Sequence, residues 1–199
     1  MGLSIGPFHF QRMMVFIDGT YLRACLKEFF GRDEINIFAL GWMLRNELGH
    51  FGMTHSDLVR IYYYDGATDP RNDAARRKAE DLYFDRIRRM EYCEVRLGRL
   101  IPTAEGPRPK GVDVRLAIDM VAKASDGQYD TAVLLTGDDD FADVATEVRD
   151  SGKRVYGAYF GGAISDRLLN CFDRRKELRQ EDLGPLMLPP ASTPGSAVS

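Results

Sequence analysis

Short apolar runs, each closed by a turn signal, alternate along the chain with stretches whose apolar residues recur at helical spacing. Met13-Met14-Val15-Phe16-Ile17 reads as a buried strand that ends at Asp18-Gly19-Thr20. Leu22, Leu26, Phe29 and Phe30 then form a helical stripe, and Gly31 marks its end. Asn36 is placed to cap a second helix with Ile37, Leu40, Leu44 and Leu48 on one face. Trp42 lies off that stripe and reads as packing, while His50 and His55 fall in the connecting loop as solvated residues. Leu58 to Tyr64 is a second strand, ending at Asp65-Gly66. A long helix from Arg71 to Met90 follows, with Ala79, Leu82, Tyr83, Ile87 and Met90 inward. Glu91 to Ile101 is a third strand or an extended hairpin, Pro102 to Pro109 a turn-rich loop, and Lys110-Gly111 opens a helix.

Thr131-Ala132-Val133-Leu134-Leu135-Thr136 is an apolar run short enough to be one buried strand, and Phe141, Val144, Ala145 and Val148 follow at helical spacing to about Asp150. Val155 to Phe160 is a fifth strand, and a short helix runs through Leu168 and Leu169. This alternation predicts an α/β fold: a doubly wound, mainly parallel sheet flanked by helices, over residues 13–180. Residues 1–12 read as an N-terminal extension and 181–199, rich in Pro and Ser, as a disordered tail.

Charge and cysteine content narrow the function. A net charge of −3 excludes a generally basic protein that coats nucleic acid, but not a nucleic-acid enzyme whose acidic centre holds cations. Cys25, Cys93 and Cys171 are odd in number and form no zinc pattern, so a reducing compartment and burial as small hydrophobes are expected. The start of the chain lacks a signal-peptide pattern, and Gly6 stands where myristoylation wants Ser or Thr. No apolar run reaches membrane-spanning length, so a cytoplasmic protein that does not enter membranes is expected.

The candidate chemistry lies at the strand ends. Gly137 is followed by Asp138, Asp139 and Asp140; one aspartate suffices to cap the next helix, and three exceed that need. Clustered carboxylates repel one another unless something neutralises them, and a hard divalent cation is the usual partner. In a parallel sheet Asp18 would end one strand and Asp138 and Asp140 another, at the same edge, where ligands bind. Asp113, at the start of the helix after Lys110-Gly111, can reach that edge. Asp119 lies about 120° further round and lines up with Arg115 and Lys123 as a charge stripe, and Asp65 is a reserve candidate. Aspartates without His or Cys suit Mg²⁺ or Mn²⁺ rather than zinc, and such a centre suits phosphodiester hydrolysis. Lys110 is placed to hold a phosphate oxygen, and the Thr136 hydroxyl to bind a carboxylate or the phosphate. Arg76 and Arg77, on the Arg-rich helix, would form a phosphate-contacting wall, although many such charges are a solvated surface.

Phe16-Ile17-Asp18-Gly19, Lys110-Gly111-Val112-Asp113-Val114 and Thr136-Gly137-Asp138-Asp139-Asp140-Phe141, in this order, resemble the NYN domains of the PIN-like nucleases, the group that includes LabA-type proteins. Gly152-Lys153-Arg154-Val155 and Ser165 to Asp173 resemble the strand and closing helix that follow in that family. The resemblance implies a PIN-like fold and a metal-dependent ribonuclease acting on RNA, with Asp18, Asp113, Asp138 and Asp140 as its acidic centre, and it is compatible with a homodimer. Tyr21 departs from it, since the family usually has Asn there; Tyr21 would stack on a base or obstruct the site. Asp139 stands where the family commonly has Ser. A haloacid-dehalogenase-type phosphatase would need an aspartate nucleophile two residues before Asp18, where Phe16 stands. The rival from another class is a catalytically weak or inactive NYN-fold module that binds RNA or protein.

Overall fold

The computed structural model describes residues 9–50, 54–101, 103 and 108–189. Among these, seven strands form one sheet: β1 (His9–Asp18), β2 (Thr54–Ala67), β3 (Cys93–Ile101), β4 (Arg108–Lys110), β5 (Thr131–Leu135), β6 (Arg154–Phe160) and β7 (Arg174–Leu178). Their order is β4-β3-β2-β1-β5-β6-β7. Every pairing is parallel except that of β3 with the short edge strand β4. From β1 the chain winds outward through β2 to β3, then returns to the other side of β1 and winds outward through β5, β6 and β7. The point of reversal lies between β1 and β5.

The helices are α1 (Gly19–Phe30), α2 (Ile37–Leu48), α3 (Ala74–Arg88), α4 (Val112–Ser125), α5 (Phe141–Asp150), α6 (Asp166–Cys171) and α7 (Gln180–Leu183). Right-handed crossovers that change direction must change face, and the core divides accordingly. On one face Leu22, Leu26, Leu40, Leu44, Phe84 and Ile87 from α1 to α3 meet Val15, Ile17 and Tyr63. On the other, Leu116, Met120, Phe141, Val148 and Leu168 from α4 to α6 meet Phe16, Tyr64 and Leu134. All five residues of β5 are buried, because helices cover the central strands on both sides.

Several expectations need correction. β1 starts at His9 rather than Met13, and β2 at Thr54, so His55 lies in a strand beside Phe10 and not in a loop. The inward face of α3 is Glu80, Tyr83, Phe84 and Ile87, with Leu82 60% exposed. Glu80 can turn inward because Thr68 donates to it through its backbone N–H and its hydroxyl, both at 2.7 Å. β4 and β7 are additional strands; four of the five residues of β7 are charged, as suits an edge. The stretch expected as tail is ordered through its first part. Asn36 donates its backbone N–H to the Leu186 carbonyl at 2.9 Å, Leu188 donates to the Glu34 carbonyl at 3.1 Å, and Arg32 donates to the Leu188 carbonyl at 2.8 Å. Residues 1–8 and 190–199, the rest of the expected extension and tail, lie outside the described residues.

Where β1 enters the sheet, Arg12 clamps Asp130 just before β5: its backbone N–H donates at 2.9 Å and its guanidinium at 2.8 and 3.2 Å. These bonds hold the Asp130 carboxyl below its ordinary pKa. The contribution is therefore complete above the unfolded carboxyl pKa of about 4 and is lost as pH falls through the lower folded value. Arg12→Gln should lower the urea midpoint at neutral pH, and the difference from wild type should vanish in acid.

Candidate functional site

The reversal point puts two strand ends side by side. Ile17 of β1 pairs with Leu135 of β5, so Asp18 and Thr136 leave the sheet together. Asp18 is only 7% exposed and caps α1: one carboxylate oxygen accepts from the Tyr21 backbone N–H at 3.0 Å. The other accepts from the Thr136 hydroxyl at 3.0 Å. Gly19 is needed for this tight exit, since an added Cβ would stand 2.4 Å from the Tyr63 ring. Gly137 is constrained more severely: its Cβ would lie 1.8 Å from the Ala163 carbonyl oxygen and 2.7 Å from the Tyr21 ring.

The three aspartates after Gly137 have different surroundings. Asp138 accepts from the Asp140 backbone N–H at 3.1 Å, which closes a local turn. Asp140 occupies the N-cap of α5 yet makes no capping bond, so helix capping does not account for it. Asp139 turns away to accept from the Ser165 hydroxyl at 2.7 Å and to pair with Arg167 at 3.3 Å. Asp113 sits in the first turn of α4, just after Gly111.

Electrostatics tie four of these groups together. Burial, followed by the nearby charges of Asp113 and Asp65, pushes the Asp18 carboxyl up to about 6, against the pull of its hydrogen bonds from Tyr21 and Thr136. Burial raises Asp113 too, and Asp138 and Asp140 raise it further. Among the described residues, no cation is among the chief influences on either group. Carboxylates that share one rim, with oxygen the sole donor type, match the demands of a hard divalent ion. Among the described residues, no three His, Cys, Asp or Glu side chains already close around one point.

The remaining candidates are arranged as follows. Thr136 is fully buried and its hydroxyl lies between Asp18 and the Asp138 backbone N–H, so it holds a carboxylate and is not open to a phosphate. Tyr21 does not present a stacking face: its hydroxyl accepts from the Phe160 N–H at 2.9 Å and its ring packs edge-on against Phe160. Lys110 ends β4, exposed, three residues before Asp113. Arg76 pairs with Glu80 at 3.0 Å and lines a cavity beside Asp65. Arg77 pairs with Asp81 at 2.9 Å and donates to the Thr68 carbonyl. Asp65 is committed to Gly66 N–H, the Tyr63 hydroxyl and Arg23. Asp119 is held by the Tyr64 hydroxyl and lies near Arg115 and Arg96. Sequence reasoning missed Arg23 and Lys27, which border the same cavity as Arg76; their spacing of four on α1 was the available signal.

The NYN domain family profile matches residues 12–177. This chain belongs to the NYN domain family. Membership connects it at family level with the PIN-like nucleases. A search of curated proteins found no match. Among solved structures, a protein of unknown function from Vibrio parahaemolyticus, VPA0982, superposes with a TM-score of 0.64 at 18% identity. The match covers 90% of this NYN domain chain and 99% of the Vibrio one, and supports the fold.

Tyr21 is thus a strut between α1 and the end of β6 in this NYN domain. Tyr21→Phe leaves the Phe160 N–H without its acceptor and should cost about 1–3 kcal/mol of stability, measured by urea unfolding. A variant as stable as wild type would contradict the strut.

Proposed function

We propose that this NYN domain is a Mg²⁺- or Mn²⁺-dependent ribonuclease that hydrolyses phosphodiester bonds of single-stranded RNA. The observation that carries the reading is a set of four aspartates at the reversal point of the sheet: Asp18 and Asp113, whose carboxyls burial raises, with Asp138 and Asp140 near enough to Asp113 to raise it further. These four would hold the ion. When bound, it supplies an activated water and charge stabilisation for the leaving oxygen. Asp18 is kept in one orientation by Tyr21 N–H and Thr136, and Asp138 by the Asp140 N–H. Lys110 holds a non-bridging phosphate oxygen, and Arg76 and Arg77 contact the strand's phosphates. The second reading, a binding module without catalysis, draws on Tyr21, whose side chain is engaged by Phe160 and so orients neither a carboxylate nor a phosphate.

Cleavage separates the two. Labelled single-stranded RNA should be cut in Mg²⁺ or Mn²⁺, and both chelator and Asp138→Asn should abolish cutting. Undiminished cleavage under both conditions would rule out the mechanism, and binding without cleavage would favour the module. Metal binding has its own readout: at roughly a hundredfold excess over its dissociation constant, Mn²⁺ should add about 2.7 kcal/mol to the unfolding free energy. Asp138→Asn should reduce that gain. Replacing Arg76 and Arg77 with Ala should flatten the salt dependence of RNA binding, by about 0.7 in slope for each phosphate that is no longer neutralised, without changing metal affinity.

A further inference from the structure

Beside the acidic rim, α1 and α3 enclose a cleft. Two adjoining cavities, of about 260 and 430 Å³, share Arg23, Lys27, Arg76 and Glu80. The first also reaches Thr20, two residues after Asp18, and Asp65 at the end of the neighbouring strand β2. The cleft therefore opens at the same rim as the four aspartates.

The cleft has three cations, Arg23, Lys27 and Arg76, and four carboxylates, Asp33, Asp65, Glu80 and Glu34, the last held by Arg86 at 2.6 Å; what is unbalanced is its hydrogen-bonding capacity. Its carboxylates are engaged by donors. Asp65 accepts from Gly66 N–H at 2.7 Å, from the Tyr63 hydroxyl at 3.0 Å and from Arg23 at 3.3 Å. Glu80 accepts twice from Thr68 at 2.7 Å and once from Arg76 at 3.0 Å. Asp33 accepts from Arg23 at 2.7 Å and stands 3.3 Å from Lys27. The cations retain spare donors. Arg76 meets Glu80 through Nε, and a guanidinium has five N–H groups. Lys27 is 59% exposed and has three. Arg23 is fixed between Asp33 and Asp65 with its guanidinium against the Tyr83 ring, which makes it a rigid base for the cleft. Surplus N–H donors from opposed helices, over satisfied carboxylates, select a ligand that offers only acceptors. A phosphate group is such a ligand.

We propose that the cleft between α1 and α3 is a phosphate subsite, gripped by Lys27 from one helix and Arg76 from the other, for the strand that reaches the acidic rim. The identity of that strand as RNA rests on the function proposed above; the subsite itself rests on the cleft. It separates two neighbours that sequence alone treats alike. Arg76 faces this cleft, whereas Arg77 lines a different cavity with Arg71 and Arg99.

The test is anisotropy of a labelled short single-stranded RNA bound to the full chain, over a range of salt and in chelator, so that cleavage plays no part. Lys27→Gln should weaken binding and reduce the salt slope by about 0.7, and Lys27→Gln with Arg76→Gln by about 1.4. Arg88→Gln, at the far end of α3, is the control and should leave both unchanged. Unaltered affinity and slope in the double variant would overturn the subsite. The same titration with 5′-phosphorylated and 5′-hydroxyl RNA tells which phosphate is held. Affinity that depends on both Lys27 and the 5′-phosphate assigns the strand's end; dependence on Lys27 alone assigns a backbone phosphate. If Lys27-dependent binding persists in a protein that never cleaves, the ribonuclease reading falls and the subsite stands. Cleavage with no response to Lys27 and Arg76 means the reverse.

Discussion

Parallel strands that share a hydrogen-bond ladder also share their ends, and the rest of this site depends on that constraint. Asp18 and Asp138 are far apart in sequence, yet the pairing of Ile17 with Leu135 brings their strand exits to one rim. The reversal of winding between β1 and β5 then sends α1 and α5 to opposite faces of the sheet. The two helices diverge from the gap between their strands, so the rim remains a crevice. Asp113 joins from a third direction, because α4 begins where the β3–β4 edge returns the chain.

Such a crevice has a folding cost that the surrounding contacts must offset. Burial and mutual repulsion raise the Asp18 carboxyl to about 6, a sign that the folded state disfavours its charge. The scaffold responds with fixed dipoles instead of a counter-ion: an α1 backbone N–H and the Thr136 hydroxyl both point at it. Elsewhere the same protein pairs acids with cations freely, as in Arg12 with Asp130 and Arg23 with Asp33. The rim is the place where that habit is suspended, and local conflict of this kind is what functional sites impose on a fold.

The sequence was legible wherever one local cause decides structure. Asn36 caps α2, and Ile37, Leu40, Leu44 and Leu48 all face inward, because periodicity and capping agree there. It was illegible where tertiary partners decide. Glu80 turns inward only because Thr68, twelve residues away, supplies two donors. β7, Arg174-Arg175-Lys176-Glu177-Leu178, has no apolar run and is a strand because β6 offers it an edge. Residues 184–188 look like tail by composition but pair with the segment before α2. The site shows the same division. The positions of the aspartates could be read from strand ends, whereas the roles of Tyr21 and Thr136 depended on neighbours from other elements.

Tyr21 shows how such a dependence can reshape a site without breaking it. A side chain that merely oriented a carboxylate could be short; this one spans from α1 to the last N–H of β6. Its ring fills the space that a Cβ on Gly137 would need, so Tyr21 and Gly137 fit as a pair. On its other side Gly137 lies against the Ala163 carbonyl, and Ser165 donates its N–H to the Gly137 carbonyl at 3.1 Å. The same Ser165 hydroxyl, with Arg167, draws Asp139 out of the rim. A fixed turn that exports one aspartate leaves the other two beside Asp113, so packing behind the sheet edge decides which carboxylates face the crevice.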